Sequence, residues 1–191
     1  MIEIGIDAVE SGDYIQLDWQ TSGTQKPENF RIYRREGKSE DFVQIAQVSG
    51  NKTTFLDSSG IKIGTRYYYY LTAVNDDDVE SEASDTLSYL LVEKAFLLSN
   101  TLQPVPVFTW QVRTNPEVYV LKLIEADTER KIWVTKVRSA YSQTEQVKYN
   151  IDGTALLDSL QTGVAYKWRI DIVGPAENSG SESSWKKFML Q

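Results

Sequence analysis

Ile61-Lys62-Ile63-Gly64-Thr65-Arg66-Tyr67-Tyr68-Tyr69-Tyr70-Leu71-Thr72-Ala73-Val74 is the stretch whose reading decides the fold. From Tyr67 onward, Tyr67, Tyr69, Leu71 and Ala73 alternate with Tyr68, Tyr70 and Thr72, the period-2 pattern of a half-buried strand. Gly64 stands just before it, where the chain must turn. The frame returns at Leu160-Gln161-Thr162-Gly163-Val164-Ala165-Tyr166, followed by the alternating Trp168, Ile170 and Ile172. Tyr166 follows Tyr67 by 99 residues, so one repeat is one whole domain rather than a short solenoid unit.

Alternating segments recur outward from these two strands, between turn signals spaced about ten residues apart. In the first half they are Ile2 to Val9, Ile15 to Trp19, Phe30 to Tyr33, Phe42 to Val48, Thr53 to Leu56, Tyr67 to Val74 and Thr86 to Val92. Seven strands in this length is the count of an immunoglobulin-like sandwich. The second half repeats the plan with Phe108 and Trp110, Tyr119 to Leu123, Ile132 to Val137, Tyr166 to Ile172 and Trp185 to Leu190. Thr154 to Leu160 fits either a strand or a short helical turn, and is read as strand plus turn. The reading is all-β, with two sandwiches at 1–93 and 94–191. No Gly/Ser/Pro-rich linker separates the halves.

Composition narrows the function classes. The net charge of −7 argues against nucleic acid as the main partner, because phosphate binding needs a basic patch. The absence of Cys and His removes thiol and imidazole nucleophiles, the His general base and the common zinc sites. No cofactor and no metal are therefore expected. A catalyst built on Asp, Glu, Lys or Ser stays formally possible, but the sequence shows no convergent constellation of them, so an enzyme is not expected. The opening Met-Ile-Glu-Ile-Gly-Ile-Asp lacks the basic and apolar regions of a signal peptide. No run reaches the roughly 18 apolar residues of a membrane helix, so membrane insertion is not expected.

The two glycine-to-tyrosine segments carry a specific likeness. Ile61 to Tyr67 resembles the fibronectin type III segment Leu-x-Pro-Gly-Thr-x-Tyr, with Ile63 in place of the proline, and Leu160 to Tyr166 repeats it. Phe30 to Arg34 resembles the family's third strand, Phe55-Leu56-Asp57 its fifth, and Trp19 and Trp110 its buried core tryptophan. Glu80-Ser81-Glu82-Ala83-Ser84 and Gly180-Ser181-Glu182-Ser183-Ser184 resemble the serine-rich entry to its last strand. The resemblance covers nearly the whole chain, in a style closer to bacterial or phage members. It implies a tyrosine corner, in which each hydroxyl bonds back to the chain just upstream. It also implies a structural or adhesion module. The setting would be extracellular or at the cell surface if a leader was removed, and otherwise a virion or a particle assembled in the cytoplasm. The expected partner is a protein or a second copy. A carbohydrate-binding accessory module of a secreted polysaccharide-active protein is the alternative. The Arg-Gly-Asp of some animal members is absent.

Three groups are candidate partner-binding residues. Tyr33, Tyr68 and Tyr70 fall on the outer face of one sheet, as a partner or sugar platform or as cross-strand packing with Arg31 and Arg35. The corresponding face of the second half carries Lys122, Lys167, Arg169 and Asp171. Asp76, Asp77 and Asp78 lie in the loop between the last two strands of the first half. Their spacing is not that of an EF-hand, and a solvated acidic turn accounts for it. Trp133 faces outward if Ile132 and Val134 face inward, while Trp168 and Trp185 read as core or core edge. Glu125, Asp127 and Glu129 fall in a turn with no cleft implied, which leaves them no glycosidase role.

Overall fold

The computed structural model describes residues 5–21, 26–37 and 41–191. The described residues contain no helix. The chain divides into two compact units, Met1–Leu91 and Val92–Gln191. Leu91 is buried in the first core and Val92 packs against the second, so the division falls two residues before the boundary read from sequence.

In the first unit, β1 (Gly5–Ala8), β2 (Ile15–Asp18) and β5 (Thr54–Asp57) form one antiparallel sheet, with β2 in the middle. The other sheet runs β4 (Val43–Ser49), β3 (Asn29–Glu36), β6 (Arg66–Val74), β7 (Leu87–Leu91). Ile2 to Ile4 of the expected first strand lie outside the described residues. In the second unit, β9 (Val107–Gln111) lies between β8 (Phe96–Asn100) and β12 (Thr144–Lys148). Opposite them, β10 (Val118–Glu125) lies between β11 (Lys131–Arg138) and β13 (Ala165–Val173). β14 (Ser179–Glu182) and β15 (Lys186–Met189) both pair with β13 as two pieces of one interrupted last strand. Each unit is thus the fibronectin type III-like sandwich that the sequence predicts.

Alternation puts one face of every strand in a core. In the first unit Trp19 meets Phe30 edge-on, with ring centroids 5.5 Å apart, among Ile15, Leu17, Ile32, Tyr67 and Leu91. In the second, Trp110 meets Tyr119 at 5.2 Å and Phe108 meets Trp168 at 4.8 Å. One polar knot joins the two sheets of the first unit. Asp57 on β5, 1% exposed, accepts from Arg34 of β3 at 2.7 Å and from the Tyr69 hydroxyl of β6 at 2.9 Å. Burial and the neighbouring carboxylate push the Tyr69 hydroxyl well above its ordinary pKa. Removing the Asp57 carboxylate would leave the buried Tyr69 hydroxyl without this acceptor and Arg34 without its counter-charge.

The corners form as the resemblance implies. The Tyr67 hydroxyl accepts the Lys62 amide at 3.0 Å and donates to the Gly60 carbonyl at 3.2 Å. The Tyr166 hydroxyl accepts the Gln161 amide at 3.0 Å. Gly64 (φ 81°) and Gly163 (φ 77°) take left-handed turns open to glycine. Their amides bond to the Leu91 and Leu190 carbonyls, both at 2.9 Å.

One expected strand fails, and one strand was not expected. Thr154 to Leu160 is neither strand nor helix but part of a long connection, from which Ala155, Leu157 and Leu160 drop onto the core. The fifth strand of the second unit is β12. Its inward residues are Glu145 and Val147, so a buried carboxylate hides the apolar alternation. Glu145 is satisfied by the Ser139 hydroxyl at 2.9 Å and by the Ala140 and Ser142 amides.

The serine-rich entries have a backbone role. Where the last strand bends away from the sixth, Ser81 and Ser84 donate their amides to the Ala73 and Leu71 carbonyls, and their hydroxyls accept the amides of the same two residues. Ser183 does the same with Ile170, at 2.9 Å in both directions. The hydroxyl replaces a carbonyl that the bend has carried off. Ser183→Ala would leave the buried Ile170 amide without this acceptor. It should lower the stability of the second unit by about 1–3 kcal/mol, measured by denaturant unfolding, with the first unit's transition unmoved.

Candidate functional site

The outer face of the larger sheet in the first unit brings the three tyrosines together. β3 and β6 pair in a register that sets Tyr33 opposite Tyr70, Arg35 opposite Tyr68 and Arg31 opposite Thr72. Directly opposed side chains on one face touch, so the pairing forces the contacts. Tyr33 and Tyr70 stack with centroids 4.7 Å apart and planes 16° apart. Phe42, just before β4, leans on Tyr70 at 4.8 Å. The Arg35 guanidinium lies 4.0 Å from the Tyr68 ring centroid and 5.3 Å from that of Phe42. The result is one continuous row of aromatic rings and a cation, half-buried by its own members.

Glu80 holds the far end of the row. It accepts the Tyr33 hydroxyl at 2.9 and 3.0 Å, the Thr72 hydroxyl at 2.6 Å, and the Arg31 guanidinium. The hydrogen bonds from Thr72, Arg31 and Tyr33 keep its carboxyl below the ordinary carboxylate range. Burial, and then the bond to Glu80, raise the Tyr33 hydroxyl. Arg31 also pairs with Asp78 and donates to Gln47 at 3.1 Å.

The acidic loop is therefore divided. Asp78, in a left-handed conformation (φ 62°), is tied through Arg31 to the aromatic row. Asp76 and Asp77 are exposed on a turn built by Asn75, whose side-chain oxygen accepts the Asp77 and Val79 amides. Among the described residues, no group of three acidic side chains is placed to hold a metal ion. Glu80 and Phe42 belong to the row, although the sequence reading gave them no role there. Phe42 shares the outward parity of Gln44. Glu80 bridges back to Val74, a pairing that depends on how the loop closes.

Trp133 is not exposed. It is 1% accessible, and its indole donates to Asp152 at 2.9 Å. The register of β11 on β10 slips here, because Leu123 faces Trp133 while Ile124 faces Lys131. Ile132 is the extra residue of a bulge, so it and Trp133 both turn into the core and Val134 is the one left exposed. Trp133 then meets Tyr149 edge-on at 5.4 Å. Trp168 is core, as expected, and its indole donates to Asn100 at 3.1 Å. Trp185 is instead on the outer face, with the Lys167 ammonium 5.2 Å and the Arg169 guanidinium 4.9 Å from its ring centroid.

The outer face of the second unit is a web of ion pairs. Lys122 pairs with Asp171 at 2.7 Å, Arg169 with Asp171 and Glu182, and Lys167 with Glu129. Glu125 is taken up by Arg130 and Thr128 inside its turn. A cavity of about 510 Å³ in this unit is lined mainly by apolar side chains, Pro116, Val118, Tyr141, Val173 and Pro175 among them, with Glu117 at its wall.

No family model matches the chain, and no curated protein matches it. Among solved structures it is similar to a two fibronectin type-III domain segment from chicken tenascin. That match covers 99% of this chain and 97% of the other, at 18% identity and a TM-score of 0.40. It is also similar to the FN1–FN3 domains of chicken CNTN1, over 99% of this chain and 66% of the other, at 10% identity and a TM-score of 0.44.

The Trp133 anchor has a pH signature. Burial works to raise the Asp152 carboxyl. The hydrogen bonds from Thr135, Trp133 and Thr154 outweigh that and hold it at about 2, against an ordinary 3.8. The stability it contributes is complete above the ordinary value and is lost as pH falls through about 2. Thermal unfolding of the second unit between pH 5 and pH 2 should show a smaller acid-induced drop in Asp152→Asn than in the natural chain. Equal drops would remove Asp152 from that role.

Proposed function

We propose that this chain is a non-catalytic structural or adhesion module that engages a protein partner through the aromatic row of the first unit, at a cell surface or within a larger extracellular or virion assembly. The observation behind this is that Tyr33, Phe42, Tyr68 and Tyr70 are gathered and ordered on a solvent-facing sheet surface. Tyrosine combines contact area with a polar tip, and it is enriched among the residues that dominate protein interfaces. Stacking and the Arg35 contact fix the rings before any partner arrives, which lowers the entropy lost on binding. The anionic edge at the exposed Asp76 and Asp77, beside the Arg31-paired Asp78, favours a partner with a basic or neutral rim.

The same contacts argue against a sugar platform. Tyr33 and Tyr70 each give a ring face to the other, and Tyr68 gives one to Arg35. A pyranose stacks on an open ring face, whereas a protein side chain can also use ring edges and hydroxyls.

Quantitative affinity capture from extracts and culture medium of the source organism tests the proposal. Proteins recovered by the natural chain should fall about tenfold or more with Tyr68→Ala/Tyr70→Ala, the scale of losing hot-spot aromatics. They should persist with Lys122→Ala/Lys167→Ala on the second unit. Recovery indifferent to the tyrosines, with a folded variant, would overturn the site. Tyrosine-dependent binding on a glycan array, with no protein captured, would replace the partner with a carbohydrate.

A further inference from the structure

We propose that β4 is a self-complementary sheet edge by which two copies of this chain pair about a two-fold axis. The inference deepens the reading of the chain as a protein-interaction module by naming one partner, a second copy.

β4 ends its sheet, and among the described residues it pairs with β3 alone. Such an edge offers a row of free backbone donors and acceptors to any extended chain, and proteins commonly guard it with charge, above all lysine. β11, the corresponding edge of the second unit, carries Lys131, Lys136 and Arg138. β4 reads Val43-Gln44-Ile45-Ala46-Gln47-Val48-Ser49, with neither charge nor proline.

The order of those residues is the decisive feature. The register on β3 slips at Ile45, with Ile32 facing Ala46 and Tyr33 facing Gln44. Ile45 and Ala46 therefore both turn toward the core, as does Val48, while Gln44 and Gln47 are exposed on the outer side. Val43 lies opposite the inward Arg34, yet it is 56% exposed. From Val43 to Val48 the strand thus reads inward, outward, inward, inward, outward, inward, the same in both directions. Laid antiparallel against a second copy, Val43 meets Val48, Gln44 meets Gln47, and Ile45 meets Ala46. Like meets like on both faces, and the two kinks coincide at the axis. A one-residue slip would set glutamine against an apolar side chain. A strand symmetric in this sense is what an isologous interface requires, since the same patch must fit itself.

The surroundings agree. The exposed Val43 gains an apolar cover from Val48 of the second copy. Arg31, the cation beside Gln47, is already balanced by Asp78 and Glu80, so it adds no unbalanced charge at the axis. Pairing would also join two aromatic rows into one surface.

Sedimentation or light scattering of the full chain over a concentration series should show a monomer–dimer equilibrium. Val43→Lys/Gln44→Lys places on β4 the guard that β11 already has. It should raise the dimer Kd about tenfold or more. Both positions are exposed, so thermal unfolding should be unchanged. Register is read separately, because the chain has no cysteine of its own. Gln44→Cys and Gln47→Cys chains, oxidised alone, should stay uncrosslinked, and mixed they should give a covalent dimer. A strict monomer at every concentration overturns the proposal. So does a dimer that survives the two lysines, or self-crosslinking of Gln44→Cys as efficient as the mixture. The two readings fail separately. Tyr68→Ala/Tyr70→Ala should leave the dimer intact, and Val43→Lys alone, on the opposite side of β4 from the aromatic row, should weaken the dimer and leave tyrosine-dependent capture of other proteins intact.

Discussion

The sixth strand of each sandwich is the element on which the rest depends. β6 is hydrogen-bonded to β3 on one side and β7 on the other, and β13 is flanked by β10 and by the two pieces of the last strand. A central strand has no spare backbone group, so anything that interrupts a neighbour must be repaired locally. Three devices do this. The corner tyrosine takes the amide freed by the glycine turn. The glycine amide takes the last carbonyl of the neighbouring strand. Serine hydroxyls take the amides left where that strand bends away. The glycine-to-tyrosine segments and the serine-rich segments are thus two halves of one solution to backbone satisfaction, and for that reason they recur together in both units.

The elements that follow this logic were legible in the sequence. Alternation located β3, β6, β10 and β13 because both faces of those strands are chemically distinct, and the corners were marked by glycine, whose positive φ other residues rarely adopt. Legibility failed where a residue took the face that its polarity would not suggest. Glu145 points inward and erased the signature of β12. The bulge at Ile132 sent two adjacent side chains into the core, so a strict period of two put Trp133 outside. Trp185 reads as core or core edge, yet it lies beneath Lys167 and Arg169 of the neighbouring strand β13 on the outer face. Each miss is a tertiary event that a periodicity argument cannot register.

The candidate site shows the same division. The three tyrosines were placed on one face correctly, because their parity along β3 and β6 is a local property. The anchoring role of Glu80 was not visible, since it depends on the loop after β6 returning the chain beside Thr72 and Arg31. That return also explains why the three adjacent aspartates do not act as a unit. The turn holds Asp78 against Arg31 and leaves Asp76 and Asp77 exposed, so their proximity in sequence does not become convergence in space.

The two units share a fold but treat their surfaces in opposite ways. In the second, the outer face is closed by ion pairs among Lys122, Arg169, Asp171 and Glu182, and its edge strand is guarded by basic residues. In the first, the outer face is aromatic and the edge strand is neutral. Neither difference is required by the core, because the basic residues of β11 and the glutamines of β4 are exposed side chains outside it. Charged networks and basic edges discourage association, whereas ordered aromatic rings and uncharged edges permit it. A repeat built by the same rules, with an aromatic row and an uncharged edge strand in one copy only, concentrates any capacity to associate in that copy. β4 and the aromatic row adjoin at Phe42, Gln44 and Gln47, so pairing along the edge would extend the face rather than compete with it.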